Sequence, residues 1–197
     1  MSIAFISGSP SATSRSALLL AEARRRVIAQ GEETHWIAVR DLEPAAILLA
    51  RADDPSVKAA IDQVVSARAV VISSPIYKAS YSGLLKLFLD LLPSSAFEEK
   101  PVLPLSTAGS PLHVLALDFT IGPVLAALHA REVVQSVGAL DTQVIALPGG
   151  GAQLDEQIAS RLDDSVRVLL ERVHLRAHAT RAPTPQWRVE AAVRGHA

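Results

Sequence analysis

The sequence predicts an α/β protein, a doubly wound sheet of five parallel strands with helices on both faces. Short apolar, β-branched runs alternate along the chain with segments whose apolar residues recur at helical spacing. The polar stretches rich in Gly, Pro and Ser fall after the strands, where a doubly wound sheet binds its ligand. The length, 197 residues at 49% apolar, fills one domain well and two poorly.

Ile3-Ala4-Phe5-Ile6 reads as a buried strand, and Ser16 opens a helical pattern to about Ala29. Thr34 to Val39 is a second strand, followed by an irregular segment near Leu42 to Ala50. Pro55 to Ala67 repeats apolar positions at helical spacing, and Ala69-Val70-Val71-Ile72-Ser73 is a third, β-branched strand. Gly83 to Leu92 is helical and stopped by Pro93. Val102 to Ser106 is a strand, Ser110 to about Ala130 a helix, Glu132 to Val137 and Gln143 to Leu147 are strand-like, and Leu154 to about Leu175 is the last helix. Two prolines and no clear period after Thr180 divide the chain into a domain, 1–179, and a tail or arm, 180–197.

The first of three loops at the strand carboxyl ends, Gly8-Ser9-Pro10-Ser11-Ala12-Thr13-Ser14-Arg15-Ser16, delivers hydroxyls and a guanidinium to a helix N-terminus. Free N–H groups, the positive end of the helix dipole, Ser9, Ser14, Ser16 and the Arg15 fork are what a phosphate needs. Neither G-x-x-x-x-G-K-[ST] nor G-x-G-x-x-G occurs, so a triphosphate cradle and a Rossmann pyrophosphate turn are not indicated. A terminal monophosphate such as that of FMN suits the loop. The alternative is a solvated loop whose Ser14 only caps the helix.

The second loop, Ser74 to Ser82, carries residue types that a flat heteroaromatic ring asks for. Pro75 and Ile76 can present backbone groups to a ring edge, Tyr77 can cover a face or edge, Ser80 and Ser82 can donate, and Lys78 can supply positive charge near a flavin N1 and O2. The alternative is that Tyr81 and Ser82 only open the next helix while Lys78 is solvated. In the third loop, Thr107-Ala108-Gly109-Ser110 precedes Pro111; serine then proline is a favoured helix start, and Gly109 permits close approach to a ligand.

Composition closes other routes. A formal charge of −1 offers no basic field for nucleic acid, and the absence of cysteine removes disulfides, thiolate catalysis and Cys-based metal sites. His113 reads as structural or interfacial, and His174 and His178, four apart, have no third ligand placed with them, so no metal is expected. With no signal-like N-terminus and no apolar run of spanning length, the expectation is a soluble cytoplasmic protein.

Gly8-Ser9-Pro10 with Ser14-Arg15-Ser16, then SPIYKASYSGLLKLFLDLLP from Ser74 to Pro93, then VLPLSTAGS from Val102 to Ser110 and the following LALDFTIGPVL resemble the NADPH-dependent FMN reductases of two-component alkanesulfonate monooxygenase systems. The resemblance runs to about residue 175, and the end of the chain is similar too. It implies a flavodoxin-like fold, reduction of FMN by NADPH, and supply of reduced FMN to a partner monooxygenase in sulfonate desulfonation. The flavin phosphate is then expected on Ser9, Ser14, Arg15 and Ser16, and the ring on Pro75, Ile76, Tyr77, Lys78 and Ser80. Thr107, Ala108, Gly109 and Ser110 are expected along the pyrimidine. Catalysis is expected to be positioning for hydride transfer with no obligatory acid or base, Tyr77 and Lys78 helping at most. Two other readings stay open: an enzyme keeping FMN as a prosthetic group to reduce quinones, azo dyes or metal ions, and a non-enzymatic carrier.

Two expectations concern assembly. GLLKLFLDLL, apolar on nearly every side, calls for cover by another subunit, in line with the dimers and tetramers the family implies. Gly122 and Pro123 interrupt the long helix, and a π-bulge would relieve the conflict. The family is similar in carrying an inserted residue there, usually tyrosine, in a π-helix at the tetramer interface; the matching position is Phe119, which has the ring and lacks the hydroxyl.

Overall fold

The computed structural model describes residues 2–181. Strand β1 (Ile3–Ser7) leads through the first loop to helix α1 (Arg15–Ala29), β2 (Thr34–Ala38), a 3-10 turn, α2 (Pro44–Leu48) and α3 (Pro55–Ser66). Then come β3 (Ala69–Tyr77), β4 (Ser80–Tyr81), α4 (Gly83–Leu89), β5 (Pro101–Ala108), α5 (Pro111–Val114) and α6 (Ala116–Ala127). The chain continues through β6 (Glu132–Val133), β7 (Val137–Leu140), β8 (Val144–Ala146) and β9 (Ala152–Leu154) into α7 (Glu156–Arg181).

The main sheet runs β2-β1-β3-β5, and β6 and β7 lie successively along β5, so five parallel positions are filled as expected. With β6 and β7 counted as one position this is the 2-1-3-4-5 order of a flavodoxin-like fold, with its switch point between β1 and β3. Alternation along the strands divides the core. Ala4, Ile6, Val70, Ile72 and Val102 face α3, α4 and α6, while Ile3, Phe5, Val71, Leu103 and Leu105 face α1 and α7. Both faces are buried, which is why the strands read as continuous apolar runs. The outer edge is finished by α7: the Ser165 hydroxyl donates to the Gln135 carbonyl at 3.1 Å, and Arg161 donates to the Ser136 and Gly138 carbonyls at 3.2 and 3.3 Å.

Several elements differ from the sequence reading. Strand β3 continues through Ser74 and Pro75, which pair with Ser106 and Thr107 of β5, so tertiary pairing overrides a serine–proline stretch that looks like a breaker. Residues Leu42 to Ala50 contain the helix α2. Strand β8 pairs antiparallel with β9 outside the main sheet, which consumes Leu154 and delays α7 to Glu156. That helix runs to Arg181, past the expected boundary at 179; residues 182–197 of the expected tail lie outside the described residues.

Most of the cover expected for α4 from another subunit is supplied by its own domain, with Leu87 left 36% exposed. Leu85, Phe88, Leu89 and Leu92 are buried in a core that includes Ala46 and Ile47 of α2, and Leu84 and Leu91 pack on it. Nor is there a π-bulge at Phe119. The helix breaks earlier, at Leu115, and Pro123 sits inside α6. Its missing N–H leaves the Phe119 carbonyl without the usual partner four residues on, a loss water can make good because Phe119 is 80% exposed. Exposed apolar surface collects here, with Leu112 and Leu115 also open.

Candidate functional site

The three polar loops meet at the carboxyl ends of β1, β3 and β5, the switch-point edge of the sheet. Helix starts in this molecule fall into two kinds. Asp54 accepts the amides of Ser56 and Val57 at 2.9 and 3.3 Å to cap α3, and Ser82 accepts the Leu85 amide at 3.1 Å to cap α4. Ser14, at the same position before α1, caps nothing: its hydroxyl bonds the Ser16 hydroxyl at 2.7 Å and leaves the first-turn amides without a side-chain acceptor. A fifteen-residue helix thus points its open positive end into the loop. The alternative reading, in which Ser14 only caps the helix, is not met.

Around that end the sequence-derived residues take distinct places. Ser9 is fully buried and its Oγ accepts the Ser11 amide at 3.2 Å, which leaves the hydroxyl proton for another acceptor. Arg15 is exposed, and no hydrogen bond or ion pair joins it to another described residue. Ser16 is buried, its carbonyl taking the Ser73 hydroxyl at 2.8 Å. Open amides, a buried hydroxyl with a proton to give, and an unengaged guanidinium fit a dianionic terminal phosphate.

The second loop is a β-hairpin. Ile76 pairs with Tyr81 and Tyr77 with Ser80, and the turn between them places Lys78 at φ 50° and Ala79 at φ 61°. Consecutive left-handed residues are the type I′ geometry usually given to Asn-Gly, so two ordinary side chains are held in a conformation that costs energy. Pro75 and Ile76 are buried, while Tyr77 is 51% exposed beside the turn. Burial of Tyr81 holds its phenol proton above the usual range. In the third loop Thr107 and Ala108 are buried, Gly109 is exposed, and Ser110 precedes α5 without capping it.

The structure thus gathers Ser9, Ser14, Arg15 and Ser16 at one helix end, with Pro75 to Ser80 at the end of β3 and in its hairpin to β4, and Thr107 to Ser110 at and just beyond the end of the adjacent β5. Phe119, on α6, is an exposed residue of the neighbouring helical face. Sequence reasoning missed Arg40. Its guanidinium, beyond the end of β2, donates to the Ser11 carbonyl at 3.4 Å and pairs with Asp41 at 3.3 Å. A cation directly after the strand that pairs with β1 was the available signal. It also missed the buried serines Ser73, Ser74 and Ser106, which lie beneath the loops together with Ser82, already legible as a donor and helix opener.

A family model described as NADPH-dependent FMN reductase matches residues 1–144. A Pseudomonas putida protein named FMN reductase (NADPH) is 43% identical over 167 residues, 84% of this chain and 85% of its own length. An Escherichia coli K12 protein of the same name is 38% identical over 176 residues, 89% of this chain and 92% of its own. The solved apo structure of the NADH:FMN oxidoreductase EMOB superposes with a TM-score of 0.78 at 39% identity, covering 88% of this chain and 89% of that one.

Proposed function

The chain belongs to the NADPH-dependent FMN reductase family, and from that premise we propose that the loops at the ends of β1, β3 and β5 form the flavin site of an oxidoreductase that reduces FMN with NADPH. The observation that carries the site is the uncapped N-terminus of α1 beside buried Ser9 and unengaged Arg15, set against the closed caps of α3 and α4. The α1 amides with Ser9, Ser14, Arg15 and Ser16 would hold the phosphate. The backbone of Pro75 and Ile76, with Tyr77, Lys78 and Ser80, would hold the ring, and Thr107 to Ser110 would line its pyrimidine side. FMN, when bound, supplies the two-electron acceptor chemistry. The protein's part is to orient it and to leave one face open to the nicotinamide, which needs no side chain to gain or lose a proton.

We extend this reading to the chain's partners. Release of reduced FMN to a flavin-dependent monooxygenase of sulfonate desulfonation is supported by the motif resemblance and by the exposure of Pro10 to Thr13 and Tyr77 at the rim. A homotetramer is supported by the exposed apolar side chains Leu112, Leu115 and Phe119. Among the described residues no helix is long and apolar enough to cross a membrane, and we place the protein in the cytoplasm.

Steady-state oxidation of NADPH with and without added FMN tests the function. Turnover that requires added FMN, by a protein purified colourless, is expected. A yellow protein that reduces quinones without added FMN would replace this reading with a prosthetic role, and no NADPH oxidation in either case would favour the carrier.

A further inference from the structure

Both backbone polar groups of Gly8 are taken, one by strand β3 and one by the second loop. Its amide donates to the Ser73 carbonyl at 2.8 Å, and its carbonyl accepts the hydroxyl of Ser82, 74 residues away in the chain. Ser82 is 2% exposed and fully committed: its amide donates to the Ser74 hydroxyl at 2.8 Å, and its Oγ accepts the Leu85 amide at 3.1 Å while donating to Gly8. Ser74 in turn donates to the Pro75 carbonyl at 2.9 Å, on the strand end assigned to the ring. The far end of the first loop is tied to the same strand by the Ser73 hydroxyl on the Ser16 carbonyl at 2.8 Å.

We propose that Ser82 is a positioning residue for flavin binding, clamping the phosphate loop to the ring loop through the Gly8 carbonyl. The proposal rests on the flavin reading and deepens it. Gly8 immediately precedes buried Ser9, so whatever fixes Gly8 sets where the Ser9 hydroxyl and the loop beyond it stand relative to Pro75 and Ile76. A capping serine needs only to accept an amide; the second bond, out to Gly8, has no role in starting α4. A buried carbonyl robbed of its donor would draw the loop toward another partner, and small displacements are costly in a site that works by placement.

The test is fluorescence titration of FMN and of riboflavin against the full chain, each variant held well below its melting temperature. Ser82→Ala is expected to lower the ratio of FMN to riboflavin affinity about tenfold, the loss of one hydrogen bond's worth of phosphate placement. Ser82→Gly is expected to do the same, and since glycine is tolerated before a helix it decides the matter if the alanine variant does not fold. Ser82→Thr, which keeps the hydroxyl, is expected to restore the ratio. An unchanged ratio in the alanine or glycine variant, with only a lower melting temperature, would show that Ser82 merely caps α4 and would overturn the clamp. A native protein with no preference for FMN over riboflavin would sink the flavin-phosphate reading and the clamp with it.

Discussion

A Cβ built on Gly8 falls 2.6 Å from the Cβ of Leu85, closer than two such atoms are found. Helix α4 therefore seats against bare backbone at the root of the first loop. Gly8→Ala is expected to cost about 1–3 kcal/mol through overpacking and to weaken FMN binding. Gly83, the first residue of α4, faces open space, and Gly83→Ala is expected to be neutral or to stabilise by up to about 1 kcal/mol. Thermal melts of the two variants side by side check this; equal effects would show that contact with Leu85 does not matter.

Arg15→Ala is expected to weaken FMN far more than riboflavin. A hydrogen bond from a charged group contributes about 1.5–3 kcal/mol, so the loss for FMN is about tenfold to a hundredfold. Titration of both flavins gives the comparison, and equal losses would remove Arg15 from the phosphate.

Tyr81 is 9% exposed, and its burial raises the pKa of the phenol. The folded value lies above the unfolded one, so the native state keeps this proton longer. The stability this contributes is present below the ordinary value near pH ~10 and is lost as pH rises through the folded value. The chain has two tyrosines, so Tyr77→Phe isolates the signal. Phenolate absorbance is expected to rise above the ordinary tyrosine range and to coincide with falling stability.

Phe119 carries its ring almost entirely in the open on α6. If four chains assemble through this face, Phe119→Ala is expected to shift the mass toward dimers, because ring stacking contributes about 0.5–1.5 kcal/mol beyond burial. Phe119→Tyr is expected to keep the assembly. Light scattering reports both, and a native monomer at micromolar concentration would refute the assembly.

Much of the fold was legible because both faces of the sheet are covered. Runs such as Ala69-Val70-Val71-Ile72 announce a buried strand without help from their neighbours. What was not legible depends on partners distant in sequence. Nothing in Lys78-Ala79 signals a type I′ turn, since neither residue favours positive φ; the pairing of Ile76 with Tyr81 imposes it. The short helix α2 looks irregular by itself, yet it helps bury α4, which is why a helix apolar on nearly every side looked as if it needed a second subunit. Pro123 drew attention to the wrong turn, because a proline on a solvent-facing stretch of helix can be absorbed, while the break falls at Leu115. In the site, the hydroxyls and Arg15 were visible as a composition. The open cap that distinguishes Ser14 from Ser82 is a matter of side-chain geometry, and the reach of Arg40 to Ser11 needs β2 to be paired with β1.

The broken outer strand has a bearing on how the protein survives at high concentration. An exposed sheet margin is a template onto which a foreign or misfolded strand can zip, the first event of many amyloid-like assemblies. Here β6 supplies two residues and β7 four, and the carbonyls of Gln135, Ser136 and Gly138 are already spoken for by Ser165 and Arg161 from α7. An incoming chain would find no long row of vacant acceptors on this side, so the last helix guards the sheet against templated growth as well as covering its core.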